Sequence, residues 1–193
     1  FTGDYRAPLP DGITVYGADS SFAWGLSNYN GEWSNPVFNV TGDYAVIDAR
    51  SPRHSLLATD SYSLILNVNT GAPEYLFTPA LANFRWSLDP NTPTRFYDVT
   101  GDNEAFLKIG DITTGITKTV KLKGPDGQSF GVVQSKAGVM MGSLGDRNGE
   151  LLAVLESSRQ SPTQRTIDAA LILDLAAAES EDWGQLVVAR YNL

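Results

Sequence analysis

Ser63-Leu-Ile-Leu-Asn-Val-Asn-Thr-Gly71 and Leu107-Lys-Ile-Gly-Asp-Ile-Thr-Thr-Gly115 share one design. Each is an apolar-alternating strand, then Asn or Asp, one aliphatic residue, a Thr-containing turn and a glycine. Gly71 and Gly115 are 44 residues apart, the length of one four-stranded propeller blade. A degraded third copy stands at Ala170-Leu-Ile-Leu-Asp-Leu-Ala-Ala-Ala178. A fixed period implies units that bury their faces against one another instead of folding alone. It speaks to architecture and says little about chemistry.

Working outward, Tyr44–Asp48 reads as a strand, Arg50–His54 as a turn and Ser55–Thr59 as the next strand. Ser63–Val68 follows, with a hairpin at Asn69–Gly71 and a return along Glu74–Phe77, which makes one four-stranded unit. The second unit runs from Phe84 through a Pro-rich turn to Tyr97, then Ala105–Ile109, the turn at Thr113–Gly115 and a return along Ile116–Leu122. Alternation there places Ile116, Lys118, Val120 and Leu122 on one face. Lys118 breaks the apolar pattern and belongs near the strand end, where its stem reaches water.

The third unit begins near Phe130 or Gly142, with Leu151–Leu155 as a buried strand. The polar stretch Ser157–Thr166 reads as an insertion, Ala170–Asp174 as the following strand and Gln185–Arg190 as the last. Ile167–Glu179 has a helical alternative, since Ala176–Glu179 are good helix formers. The opening, residues 1–36, is an aromatic, loop-rich lead-in with a short strand at Ile13–Tyr16. The expected organisation is this lead-in followed by units at about 37–80, 81–128 and 129–193.

The 193 residues are 42% apolar and 10% aromatic, enough to bury a core. No run of about eighteen apolar residues occurs, so no membrane-spanning helix is expected. The net charge is -8, with 22 acidic residues against 14 Lys and Arg scattered singly. Nucleic-acid affinity depends on neutralising phosphates, so this balance argues against it. Zero cysteines removes disulfides, thiolate catalysis and thiol metal sites. With the start at Phe1 rather than Met, this points to a processed or trimmed chain and an extracytoplasmic or secreted setting. Asn39-Val-Thr41 is a glycosylation sequon of the kind that arises by chance.

At Arg85-Trp-Ser-Leu-Asp-Pro90 and Arg95-Phe-Tyr97, followed by Asp111-Ile-Thr-Thr-Gly115, the chain resembles a propeller repeat of the TolB or oligogalacturonate-lyase-like type. Those families repeat an aromatic-Ser-Pro-Asp-Gly turn, a strand and an Asp-x-x-Thr-Gly hairpin. Here Leu88 stands where Pro is usual, and Asp89-Pro-Asn91 replaces Asp-Gly. The resemblance covers about residues 37–190, strongly in one unit and loosely in two. It implies an all-β fold, a β-propeller-like array of four-stranded antiparallel units, and implies function by analogy alone. Closure needs about four or more blades. A fourth is assembled from lead-in and tail, or the chain is part of a longer propeller, or self-association closes it. A β-sandwich is the alternative for so many short strands.

Three sets of residues carry candidate chemistry. Arg50, Arg53 and His54 lie at one turn, where two arginines suit a sugar carboxylate. In a uronate lyase Arg neutralises that carboxylate while His or Tyr moves the C5 proton, with Tyr62 or Tyr97 as acid or base. The competing reading is a solvated basic turn. Lyases of this kind that bind metal use several histidines, which one His cannot reproduce. Asp98, Asp102 and Glu104, and likewise Asp146, Asn148 and Glu150, gather oxygen ligands around a glycine, as calcium prefers. Neither set completes a twelve-residue calcium loop, and a glycine-containing turn whose acids stay in water is the plainer explanation. Trp24, Tyr29 and Trp33 could stack on sugar, although aromatic packing between sheets is the plainer explanation. Gly142–Gly149 lacks the Gly-Lys-Ser/Thr ending of a phosphate loop.

Three functions follow. The first is an exported, non-catalytic binding or scaffold domain facing a protein or acidic glycan. The second is a polysaccharide lyase-like domain cleaving a uronate polymer by β-elimination. The third is a self-assembling extracellular subunit, a homo-oligomer built on unpaired edge strands.

Overall fold

The structure, a computed structural model, describes residues 13–15, 24–26, 32–33, 36–50, 61–71, 73–77, 80–133, 139–144, 149–161, 164–175 and 187–193. The fold is all-β, and every sheet is antiparallel. The chain divides into two compact units, 1–81 and 82–193.

In the first unit, β1 (Ile13–Val15) and β2 (Trp24–Leu26) form a two-stranded ribbon. β3 (Glu32–Trp33) and β4 (Val37–Phe38) lie in succession along one edge of β5 (Tyr44–Arg50). β6 (Ser61–Asn67) occupies the other edge of β5 and β7 (Pro73–Phe77) completes the sheet. Proline opens β7, the one strand position where its missing N–H costs little. Ala45, Val46 and Ile47 are buried at consecutive positions, as are Leu64, Ile65 and Leu66. Because successive residues alternate in direction, both faces of the β5–β6 pair are covered, while Val37 and Phe38 of β4 stay exposed.

The expected strand at Ser55–Thr59 lies outside the described residues. β5 pairs directly with β6, so its other neighbours come from ahead of it, at β3 and β4. β3 therefore joins a segment expected as lead-in to the first sheet.

In the second unit, β8 (Arg85–Trp86), β9 (Arg95–Thr100), β10 (Phe106–Asp111) and β11 (Ile116–Lys121) follow one another as a four-stranded meander. Then β12 (Gly131–Val132) and β13 (Val139–Leu144) both pair along one edge of β14 (Gly149–Ser161). β15 (Gln164–Asp174) and β16 (Val187–Asn192) extend that sheet from the other edge. Tyr97, Val99, Leu107, Val120 and Leu122 of the meander pack with Val132, Leu152, Val154, Leu171 and Leu173 of the last sheet.

Both strong copies of the repeated motif occupy the same hairpin, between the third and fourth strands of their sheets. Asn67 Oδ1 accepts the Asn69 and Thr70 N–H groups, and Gly71 (φ 68) donates to the Asn67 carbonyl. Asp111 Oδ1 accepts the Thr113 and Thr114 N–H groups, and Gly115 (φ 67) donates to the Asp111 carbonyl. Asn and Asp are interchangeable here because each offers one oxygen to the turn. The glycine follows because its φ is left-handed. The degraded copy also begins where a third strand ends, at Asp174, but residues 176–186 lie outside the description.

Two expectations need correction. Ser157–Thr166 is no insertion: β14 and β15 pair through Ser157↔Ile167, Ser158↔Thr166, Arg159↔Arg165 and Ser161↔Gln164, with two register shifts. Backbone pairing propagates beyond a core without apolar side chains, because the ladder is built from backbone groups alone. Ile167–Asp174 is strand, as favoured over the helical alternative. Ile116 is 67% exposed, so the apolar face of β11 begins only at Val120, with Lys118 half-buried before it.

Candidate functional site

Asp98 and Lys108 are the charged residues buried most completely among those described. They face each other across β9 and β10, where directly opposed Cβ atoms lie about 5 Å apart. Asp98 Oδ1 accepts the Asn83 N–H at 2.7 Å. The Asn83 side chain in turn donates to the Val99 carbonyl at 2.7 Å and the Val133 carbonyl at 3.0 Å. Arg85, half-buried, donates to the Phe84 carbonyl. Desolvation holds its pKa below the ordinary value, and the charge of Asp98 opposes that shift. Phe84, Trp86 and Phe96 pack beside this group, the Phe84 and Phe96 rings stacked at 5.4 Å and Trp86 edge-on to Phe84 at 4.9 Å. Chemically the cluster is a brace. Its carboxylate and amide are committed to backbone groups, and Asn83 ties the meander to the chain leaving β12.

A second buried polar pair lies in the first sheet. Ser63 Oγ donates to Asp48 Oδ1 at 2.6 Å and accepts the Leu81 N–H at 2.8 Å. Sequence reasoning offered Asp98 only as a calcium ligand and gave Asn83, Ser63 and Asp48 no role. The available signal was a polar residue inside an otherwise apolar strand, at Ser63 and Asp48 alike.

Of the lyase residues, Arg53 and His54 lie outside the described residues. Arg50 sits opposite Ser61 and Tyr62 opposite Ala49, so these two backbone positions alternate between the faces of the first sheet. Tyr97 is buried in the core.

In the first calcium set, Asp98 and Glu104 have separate partners. Asp98 is committed to the brace, and Glu104 is exposed and paired with Lys121, whose hydrogen bond and charge hold the Glu104 pKa low. Among the described residues no three His, Asp or Glu side chains gather as metal ligands. The glycines of this connection serve close approach instead. A Cβ on Gly101 (φ +124) would meet the Glu104 carbonyl, and one on Gly131 would meet that of Asp102. Asp146 and Asn148 lie outside the description, and Glu150 is the second residue of β14. Among the proposed stacking residues, Trp24 belongs to the ribbon and Trp33 to the five-stranded sheet, while Tyr29 lies outside.

The surface of greatest interest was hidden in a strand expected to be buried. Along β14, Leu152 and Val154 point into the core, whereas Leu151, Ala153 and Leu155 stay partly exposed. Ala170 and Ile172 of β15 and Ala189 of β16 behave likewise, and Tyr191 is 61% exposed. Register places these residues on one face. Leu155, Ala170 and Tyr191 form one row across three strands, and Ala153, Ile172 and Ala189 the next. The last sheet is thus apolar on both faces and fully covered on one.

No protein-family model matches this chain, and neither a curated protein nor a solved structure matches it. Function must be argued from the surface itself.

Proposed function

We propose that this chain is an exported, non-catalytic β-propeller-like binding or scaffold domain that works by presenting a sheet surface to a protein. The observation that carries this reading is the partly exposed apolar face of Leu151, Ala153, Leu155, Ala170, Ile172 and Ala189. Contiguous apolar surface of this kind marks association sites, whereas scattered exposed aliphatics do not. The buried polar groups support the same reading, because Asp98, Asn83 and Ser63 are engaged in holding backbone.

Incubating the purified chain with polygalacturonate, and following the ultraviolet absorbance of unsaturated uronate ends, tests the non-catalytic assignment. No product is expected. Product formed by the wild type and lost in His54→Ala would overturn the assignment in favour of β-elimination.

A further inference from the structure

We propose that the arm formed by the joined ends of β14 and β15 captures an acidic, extended segment of a partner protein, with Arg159 and Arg165 meeting its carboxylates. The proposal goes beyond the scaffold reading above, because it concerns a different surface and a different chemistry.

The sequence of the arm supplies the first reason. Ser157-Ser-Arg-Gln-Ser161 and Gln164-Arg-Thr166 contain two arginines and no acid, in a chain whose net charge is -8. Every side chain in both stretches is a hydrogen-bond donor and none is apolar. A ligand met here is therefore recognised by charge and hydrogen bonding, not by burial of apolar surface.

Register supplies the second. Arg159 stands directly opposite Arg165, between the pairs Ser158↔Thr166 and Ser161↔Gln164. Directly opposed Cβ atoms lie about 5 Å apart, and like charges at such positions destabilise a ladder. A charge that only keeps an edge from pairing has no need of a like charge facing it. Two guanidinium forks at this spacing suit carboxylates, which each fork binds bidentately, and such a ligand turns repulsion into attraction. The acids at the base of the arm are already engaged, Glu156 with Arg190 and Asp168 with the Thr166 hydroxyl.

The edge of β14 gives the ligand its form. β13 pairs with β14 as far as Val154, and β12 pairs with Glu156 and Ser157. Among the described residues, Ser158–Ser161 pair with β15 alone. An extended peptide laid along that edge meets backbone N–H and C=O groups in register, which a sugar chain does not. Nucleic acid is disfavoured by the 22 acids of the chain. The register shift between Arg159 and Ser161 keeps the added ladder short. Charge therefore carries much of the affinity, and binding is weak and sensitive to salt.

Fluorescence anisotropy of a labelled decapeptide of alternating Glu and Thr, titrated with the whole chain, tests this. At an ionic strength of about 0.02 M, half-saturation is expected between about 10 μM and about 1 mM. Raising the ionic strength to about 0.5 M should weaken binding by about tenfold or more. Arg159→Gln and Arg165→Gln should each weaken it by about three- to tenfold, and the double variant by more. Lys121→Gln combined with Lys123→Gln removes two positive charges from another basic stretch, Lys118–Lys123, and should bind as the wild type does. Should Arg159→Gln fail to fold, Arg165→Gln and the salt titration decide. A wild type that leaves the anisotropy unchanged up to about 1 mM overturns the proposal. So does binding undiminished in the double arginine variant, or binding indifferent to salt. Tighter binding of a galacturonate hexamer through the same arginines overturns the peptide assignment in favour of an acidic glycan. None of these results bears on the apolar face of the last sheet, and uronate cleavage would overturn the non-catalytic reading without touching the arm.

Discussion

Replacing Asn83 by alanine is the sharpest probe of how the second unit holds together. Its Nδ2 donates to two carbonyls that belong to different sheets, Val99 in β9 and Val133 just after β12. Each hydrogen bond contributes about 1 kcal/mol net, and a buried carbonyl left bare costs about 1–3 kcal/mol. Against this, Asn83 Oδ1 is itself buried without a partner, so deleting it returns about 1 kcal/mol. The expected net loss is about 2–3 kcal/mol, which lowers Tm by about 5–10 °C for a chain of this size. Urea unfolding followed by tryptophan fluorescence reads the change directly. Asn83→Asp should lose more than Asn83→Ala at neutral pH, because a carboxylate oxygen replaces the donor facing both carbonyls. That variant's carboxyl pKa is raised by folding, so its deficit should shrink as pH falls and the group protonates. If Asn83→Ala unfolds within about 0.5 kcal/mol of wild type, the tie between sheets is not what Asn83 provides.

Gly110→Ala should cost about 1–3 kcal/mol, read as a lower urea midpoint. Its Cβ would lie 2.2 Å from Cζ of Phe96, a ring already packed against Phe84 and Trp86. At Asp111, burial raises the pKa, but hydrogen bonds from Thr113, Thr114 and Thr94 outweigh it and hold the group below its ordinary 3.8. A lowered folded-state pKa stabilises above the unfolded value and ceases to do so as pH falls through the folded one. Asp111→Asn should therefore match wild type at pH 7, as Asn67 does in the first hairpin, and lose less stability below about pH 4. Asp111→Ala should cost about 1 kcal/mol at neutral pH through the lost turn bonds. Glu104→Gln should leave the urea midpoint nearly unchanged, and any difference should vanish in high salt, since its pairing with Lys121 is exposed.

The hairpins were legible because their determinants are local. One side-chain oxygen and one left-handed glycine fix each turn, and both appear within five residues at Asn67–Gly71 and Asp111–Gly115. The meander followed for the same reason, its turns punctuated by Pro90, Pro93 and Gly115. The β14–β15 arm was missed because its pairing needs no apolar alternation. Ser157, Ser158, Arg159 and Ser161 pair by backbone alone. Asp98 looked like a metal ligand because an acid two or three residues from a glycine has that composition. Its actual partner, Asn83, lies 15 residues earlier, and no spacing rule announces it.

The outer face of the last sheet shows why faces are harder to read than hairpins. Leu151-Leu-Ala-Val-Leu155 and Leu64-Ile-Leu66 look alike as sequence, yet the second is buried throughout and the first at alternate positions. Nothing in either strand differs enough to explain this. What differs is the neighbour, a property of the stack that no window of sequence contains. An apolar strand reports that both its faces favour leaving water, at about 25 cal/mol per Å². It does not report whether this chain or another supplies the cover. Leu151, Ala153, Leu155 and Ile172 therefore keep part of their apolar surface in water for a reason that lies in the stack and not in the strand.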